Sequence, residues 1–452
     1  MSEMLTKATH NGLFGPIDGS RSLISSTRAR FRLLALLAAA LVAPAYAQEV
    51  SALDTGDTAW MLTSTVLVLM MTIPGVALFY GGLVRKKNLL ATLTQSFAVT
   101  CLMTLLWFVV GYSIAFSTNP SESLNSVTGG LGKMLFNGVT MDSVAGTIPE
   151  WVFATFQMTF AIITPALILG AIAERIKFSA VLWFTGLWMV LVYAPIGHWV
   201  WGGGFLAGAG VLDFAGGTVV HINAGVAALI ACLVLGPRKD FGTAALPPHN
   251  LAFSLIGASL LWVGWFGFNA GSAGGAGALA GVAMANTQIA TAAAALAWMF
   301  AEWIIAKKPT LLGILSGAIA GLVAVTPAAG FVAPSGALII GLAAGVGCYF
   351  ASVHLKRVLR YDDSLDVFGI HGVGGLIGAV LTGVFASSMV NPDAAAGASV
   401  LTQIYGVLAT TAYCAVATAI ILFVIKAVVG LRVTPPAEDQ GLDLALHGES
   451  VP

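Results

Sequence analysis

Long apolar runs alternate with short polar breaks along most of this chain, and each run is longer than a buried core helix needs. About 20 helical residues, rising 1.5 Å each, cross the ~30 Å hydrocarbon layer of a bilayer. Eleven runs approach or exceed that length, at roughly 60–80, 89–116, 151–173, 178–196, 215–235, 250–268, 281–306, 310–328, 335–355, 366–385 and 402–429. Backbone polar groups in lipid must find partners within their own segment, so the runs predict helices. The expected fold is an all-α integral membrane protein with eleven transmembrane helices.

The polar breaks set the orientation. Arg85, Lys86 and Lys87 follow the first run, Arg175 and Lys177 the third, Arg238 and Lys239 the fifth, and Lys307 and Lys308 the seventh. Lys356, Arg357 and Arg360 follow the ninth, and Lys426 and Arg432 close the eleventh. Of the fifteen Lys and Arg after residue 47, only Lys133 falls on the other side. Basic loops stay in the cytoplasm, so these ends are expected to be cytoplasmic. Residues 1–47 read as a signal peptide: Arg21, Arg28, Arg30 and Arg32 precede the apolar Leu33–Val42, and Ala45-Tyr46-Ala47 offers a cleavage site. Cleavage would leave a periplasmic N-terminus, a transmembrane domain over 48–430 and a cytoplasmic tail over 431–452. An odd number of spans agrees with that, and the expected location is the bacterial inner membrane. The loop 117–150 and the stretch Gly271–Gly277 then face the periplasm.

Composition narrows the class further. Hydrophobic residues make up 58% and charged residues 9%, too few charges to cover a soluble chain of this length. The net charge is zero and no basic block speaks for nucleic acid. Cys101, Cys232, Cys348 and Cys414 lie in apolar runs without CxxC spacing, which favours packing over disulfides or metal binding. Small residues three to five apart, as in Gly317–Ala324 and Gly341–Gly347, let helices approach closely.

The candidate chemistry is the polar residues inside the runs. DFAGGTVVHINAG, from Asp213 to Gly225, places an acid and a histidine in an apolar segment. An ionisable group in hydrocarbon costs at least ~2.5 kcal/mol, so one that persists suggests a transport path. His371 sits in a similar setting, and His221 and His371 each have a glycine four residues on, Gly225 and Gly375. Their runs are fifth in each of two successive sets of five, which predicts two inverted five-helix repeats meeting at a central site. Each histidine alone is as readily a satisfied core residue. Paired, two imidazoles can share one proton, donor to acceptor, and form a relay without a lasting charge. No Cys or carboxylate lies close enough in either segment to favour a metal. His371 follows Asp366 by only five residues, so it reaches the membrane centre only if its span starts earlier or is distorted near Gly369.

Asp213, eight residues before His221, is either a helix cap or a cation contact. Aromatics gather towards the periplasmic ends: Phe156, Phe160, Trp199, Trp201, Trp262, Trp265, Phe266 and Phe268. Some form an interfacial belt. Phe156 and Phe160 share a helix face and can gate a path, while an indole beside a hydroxyl such as Ser272 can hold a small cation. The residues alone do not choose among these roles.

DFAGGTVVHINAGVAAL (Asp213–Leu229), MTIPGVALFYGGLVRKKN (Met71–Asn88), GWFGFNAGSAG (Gly264–Gly274), SGAIAGLVAVTPAAG (Ser316–Gly330) and DVFGIHGVGG (Asp366–Gly375) together resemble the ammonium transporter family, the Amt, Mep and Rh proteins. The resemblance runs over essentially all the chain after the signal, and Trp201 and Ser272 match its bacterial Amt branch. It implies a homotrimer with one narrow, mostly apolar pore per subunit and no cofactor. On that pattern Phe160, Trp201 and Ser272 match the ammonium-recruiting site, and Phe160 and Phe268 the phenyl gate. His221 and His371 match the twin histidines of the pore, and Asp213 the acid supporting the outer site.

An intact NH4+ in an apolar pore would bear a desolvation cost of at least several kcal/mol. Transport is therefore expected as NH3, with the proton on a separate route along the histidines and net electrogenic uptake. The tail from Gly430 resembles the segment that helps bind a trimeric PII-type nitrogen-signalling protein. Two other classes stand beside this reading: an electroneutral channel for NH3, CO2 or water, and an ammonium sensor acting through its tail. No nucleophile, cofactor loop or metal cluster speaks for an enzyme.

Overall fold

The computed structural model describes residues 53–452. The expected signal peptide, 1–47, lies outside the described residues. Among these residues ten helices are long and apolar enough to cross a membrane. They are α1 (Thr55–Leu83), α2 (Lys86–Phe116), α3 (Glu150–Ile172), α4 (Phe178–Gly208), α5 (Gly217–Leu235), α6 (Leu251–Ala270), α7 (Ala278–Ala306), α9 (Pro334–Leu359), α10 (Phe368–Phe385) and α11 (Val400–Val428). The remaining predicted span is the shorter α8 (Leu311–Val325), of 15 residues. Apolarity promised a helix to residue 328, but Pro327 cannot donate to a helical ladder, and Thr326–Val332 coils into buried turns. α8 packs against α6, α7, α9 and α10, which bury Leu315–Val325.

Several spans widen locally into π-turns. Met71–Val76 does so in α1 around Pro74, Trp107–Gly111 in α2, Met189–Tyr193 in α4, and Phe266–Ala270 at the end of α6. α5 opens on one at Gly217–Ile222 and α10 on another at Phe368–Gly372. Such turns swing side chains out of the regular register and often mark functional positions. The two histidines lie in the last two, and the distortion expected near Gly369 is the π-turn of α10.

α5 and α10 pack reciprocally, the opening turn of each lying on the body of the other. The glycines four residues after the histidines are the reason. A Cβ on Gly225 would overlap the main chain of Gly372, and one on Gly375 would come within 2.9 Å of the Gly217 carbonyl oxygen. Close approach of the two backbones needs both positions bare.

At the end carrying the basic loops, buried charges tie the elements together. Arg238 bonds Asp362 at 2.8 Å and Glu174 at 3.4 Å, and Arg85 bonds Glu174 at 2.8 Å. Arg175, fully buried, donates to carbonyl oxygens of Ala171, Ala173, Gly236 and Asp362 and to the Ser364 hydroxyl. The tail docks on this face: α12 (Pro435–Gln440) places buried Glu438 against Arg432 at 2.7 Å and the Lys239 N–H at 2.9 Å. Asn88 accepts from the Leu442 N–H, and Lys87 donates to the Glu438 and Asp439 carbonyls.

Candidate functional site

A vestibule of about 350 Å³ opens between α1, α3, α4 and the end of α6. Trp201, Ser272, Phe160 and Phe156 line it. The Ser272 hydroxyl donates to the Phe268 carbonyl at 2.7 Å, which spends its hydrogen and leaves its oxygen lone pairs as acceptors. The Trp201 indole N–H is held by the Asp213 carbonyl at 2.9 Å, and the ring stands edge-on to Phe160 at 5.9 Å. An acceptor oxygen, an indole face and phenyl faces around one space suit a small cation with N–H bonds to give.

Sequence reasoning passed over one vestibule residue. Gln157 lines the cavity, and its side-chain oxygen is buried without a partner. It lies one residue after Phe156 and three before Phe160, so the helical period that singled out the two phenylalanines also marked it.

Asp213 sits beneath this vestibule. Its carboxylate accepts four backbone N–H bonds, from Gly216, Gly217, Thr218 and Val219 at 2.6–3.0 Å. Gly216, at φ 113°, makes the tight return that brings those groups onto the acid. Both oxygens are thereby engaged in capping α5, while the main chain of the same residue anchors Trp201. Of the two roles left open for Asp213, the geometry is that of the cap.

Below the vestibule the rings close the path. Phe160 and Phe268 overlap at a tilt of 31° with centroids 4.2 Å apart, and Phe156 meets Phe160 edge-on at 5.0 Å. Phe268 in turn stacks on His221 at 5.9 Å, beside Trp265 at 5.4 Å. Trp265 is fixed by donating to the Thr326 hydroxyl at 2.9 Å. His221 and His371 stack at 5.3 Å with their Nδ1 atoms 3.3 Å apart, so one ring donates to the other. The enclosed space beside them has room of about 10 Å³ for the centre of a water-sized molecule. Otherwise it is lined by apolar and aromatic groups, including Val220, Leu261 and Tyr80. Of the seven site residues named from the sequence, Trp201, Ser272 and Phe160 line the vestibule, Phe268, His221 and His371 line the enclosed space, and Asp213 caps the start of α5 beside them.

His198, away from the histidine pair, bonds the Ala115 and Asn125 carbonyls. Among the described residues no three His, Cys, Asp or Glu side chains converge as a metal site requires.

Residues 59–451 match the model of the Ammonium Transporter Family. An ammonium transporter of Aquifex aeolicus (strain VF5) is 53% identical over 416 residues, covering 90% of this chain and 95% of the relative. The solved structure of Saccharomyces cerevisiae Mep2 superposes with a TM-score of 0.78 at 38% identity, covering 85% of this chain and 88% of Mep2. That of a sensor Amt protein superposes with a TM-score of 0.81 at 28% identity, covering 87% and 98%.

Proposed function

This chain belongs to the ammonium transporter family, a multi-pass membrane transporter of ammonium, and on that premise we propose how it works. NH4+ is taken from the periplasm at Trp201, Ser272 and Phe160, where the hydroxyl oxygen accepts an N–H bond and the rings supply cation–π attraction. At the Phe160–Phe268 gate it gives up its proton, since the apolar passage beyond penalises a charge by several kcal/mol. NH3 crosses beside His221 and His371. The proton passes along the imidazole pair, and the two rejoin on the cytoplasmic side, so net uptake is electrogenic. K+ has no proton to release and is excluded. Asp213 keeps the vestibule in shape by holding the start of α5 and the Trp201 anchor.

The observation that carries this reading is the unbroken ring column, Trp201 to Phe160 to Phe268 to His221 to His371. It ends in two imidazoles at hydrogen-bond distance in a space too small for a hydrated ion.

The architecture we propose has eleven spans in two inverted five-helix repeats, α8 counting as the eighth because its residues from Leu315 to Val325 are buried in protein. A signal peptide, 1–47, is removed and leaves the N-terminus of the 48–430 transmembrane domain in the periplasm of an inner membrane. The 431–452 tail is cytoplasmic. Exposed apolar side chains such as Phe300, Trp303 and Leu408 meet lipid or the other subunits of a homotrimer. The docked tail and the basic face offer a platform for a PII-type regulator.

The test is the current in proteoliposomes on a solid-supported membrane after an ammonium jump, for the wild type and for His371→Ala. A wild-type current lost in the mutant, with NH3 equilibration kept, is expected. No current from folded wild-type protein would leave the electroneutral channel or the sensor as the better account.

A further inference from the structure

Asp363 stands eight residues before His371, the same interval that separates Asp213 from His221. Both acids precede a π-turn carrying a histidine, and both bond the backbone at its start. Their surroundings differ in one respect. The Asp213 carboxylate is saturated by four N–H groups. Asp363, 1% exposed, accepts from the Phe368 N–H at 2.7 Å through Oδ2, and the Val367 N–H also faces the carboxylate, while Oδ1 is buried without a well-formed hydrogen bond.

The neighbours do not fill that vacancy. Lys356 of α9 bonds the Asp366 carboxylate and the Asp363 main-chain oxygen, not the Asp363 side chain. Asp362 is engaged by Arg238. Tyr361 and Asp366 on its own segment, Tyr80 on α1 and Cys232 on α5 are the other titratable groups within reach of its charge. Tyr80 also lines the space beside the histidines, with its hydroxyl given to the Leu167 carbonyl at 3.0 Å. The Asp363 charge is therefore felt by a residue, Tyr80, that lines the space beside the histidines. Phe368, which Asp363 holds, is three residues before His371, about 4.5 Å of helical rise.

Resting on the proposed proton route through the histidines, we infer that Asp363 is the station where that proton leaves the pore. The His371 imidazolium loses its N–H proton, by way of water, to the Asp363 carboxylate, leaving a neutral imidazole and a carboxylic acid. The acid then gives its proton to emerging NH3, restoring the carboxylate and forming NH4+. A buried acceptor with no donor costs free energy unless something transient occupies it, and a proton in transit does so. Burial, reinforced by the Asp366 charge, pushes the Asp363 carboxyl up to about 6, within range of cytoplasmic pH.

The experiment compares wild type, Asp363→Asn and Asp363→Glu, as full-length protein in proteoliposomes. Asparagine keeps an oxygen for the Phe368 N–H, so a purely capping role predicts a normal current. The inference predicts a current at least about tenfold smaller in Asp363→Asn, with the half-saturating ammonium concentration unchanged and partial recovery in Asp363→Glu. It also predicts an infrared carboxylic-acid band that appears in the wild type between pH 7.5 and pH 5 and is missing from Asp363→Asn. Full current in Asp363→Asn overturns it. Should that variant fail to fold, a wild type without the band overturns it equally. A wild type that shows the band but carries no current sinks the electrogenic reading and leaves Asp363 a titrating group without a relay to serve, which overturns the station as well.

Discussion

Gly225 and Gly372 meet main chain to main chain where α5 crosses α10, and this contact sets how close His221 and His371 can come. The imidazoles are 3.3 Å apart at Nδ1 because no Cβ stands between the helices that carry them. Gly225→Ala inserts a methyl group into the Gly372 backbone. Overpacking of this kind costs about 1–3 kcal/mol and is relieved by separating the helices. The expected result is a lower melting temperature in detergent and a transport current reduced more than the binding of ammonium. A current equal to wild type would show that the histidines need not touch.

The Ser272 oxygen is the hydroxyl acceptor facing the vestibule beside Trp201. Ser272→Ala removes one hydrogen-bond acceptor worth about 1 kcal/mol while leaving the rings in place. The half-saturating ammonium concentration should rise roughly three- to tenfold, with the maximal current little changed. Measured over an ammonium series, a fall in maximal current at constant half-saturation would instead place Ser272 in the gate.

Asp213 meets four backbone N–H groups, and its two possible replacements separate charge from capping. Asp213→Ala leaves four donors without a side-chain acceptor and should cost roughly 2–4 kcal/mol, seen as reduced yield and thermal stability. Asp213→Asn keeps one acceptor oxygen and should be milder. Equal loss in both would argue that the charge itself is what matters.

Acid should weaken the charge network on the basic-loop side. Burial by itself would raise Glu174 and Asp362. For Glu174 the charge of Arg238 and the bonds from Arg85 outweigh burial, and for Asp362 the bond and charge of Arg238 do, so both carboxyls lie below their usual range. A carboxyl lowered by folding stabilises the protein above its ordinary value near about 4, and that contribution is lost as pH falls through it. Thermal unfolding should therefore show a decline as pH falls below about 4. Arg238→Met should cost about 3–5 kcal/mol at neutral pH and flatten the acid decline, since without the charge that lowers them the buried carboxyls no longer lose stability on protonation. An unchanged acid profile in that variant would place the acid-sensitive groups elsewhere.

Much of this protein could be read along the chain. Hydropathy alone located the ten described helices that are long and apolar enough to cross a membrane, because lipid demands a continuous apolar run and leaves little latitude in its length. The two HxxxG patterns marked the histidine helices and the glycines between them. Seven site residues were named in advance; six line the vestibule or the space beside the histidines, and Asp213 caps α5. The limits were local and physical. α8 is shorter than its apolar run, because hydropathy does not register that Pro327 stops a helix or that protein rather than lipid surrounds this segment. The tail was legible as a cytoplasmic segment but not in its docking, which rests on Glu438 accepting from the Lys239 N–H, 199 positions away. Asp363 was overlooked in favour of Asp366, although its spacing to His371 repeats that of Asp213 to His221. What distinguishes it, an oxygen buried with nothing to bind, depends on which donors the fold brings near. Composition and periodicity determine what a segment must be in lipid. Only the packing of α3, α5, α6 and α10 decides that Phe160, Phe268, His221 and His371 become one column, because their order in space is set by contacts that the order of the chain does not contain.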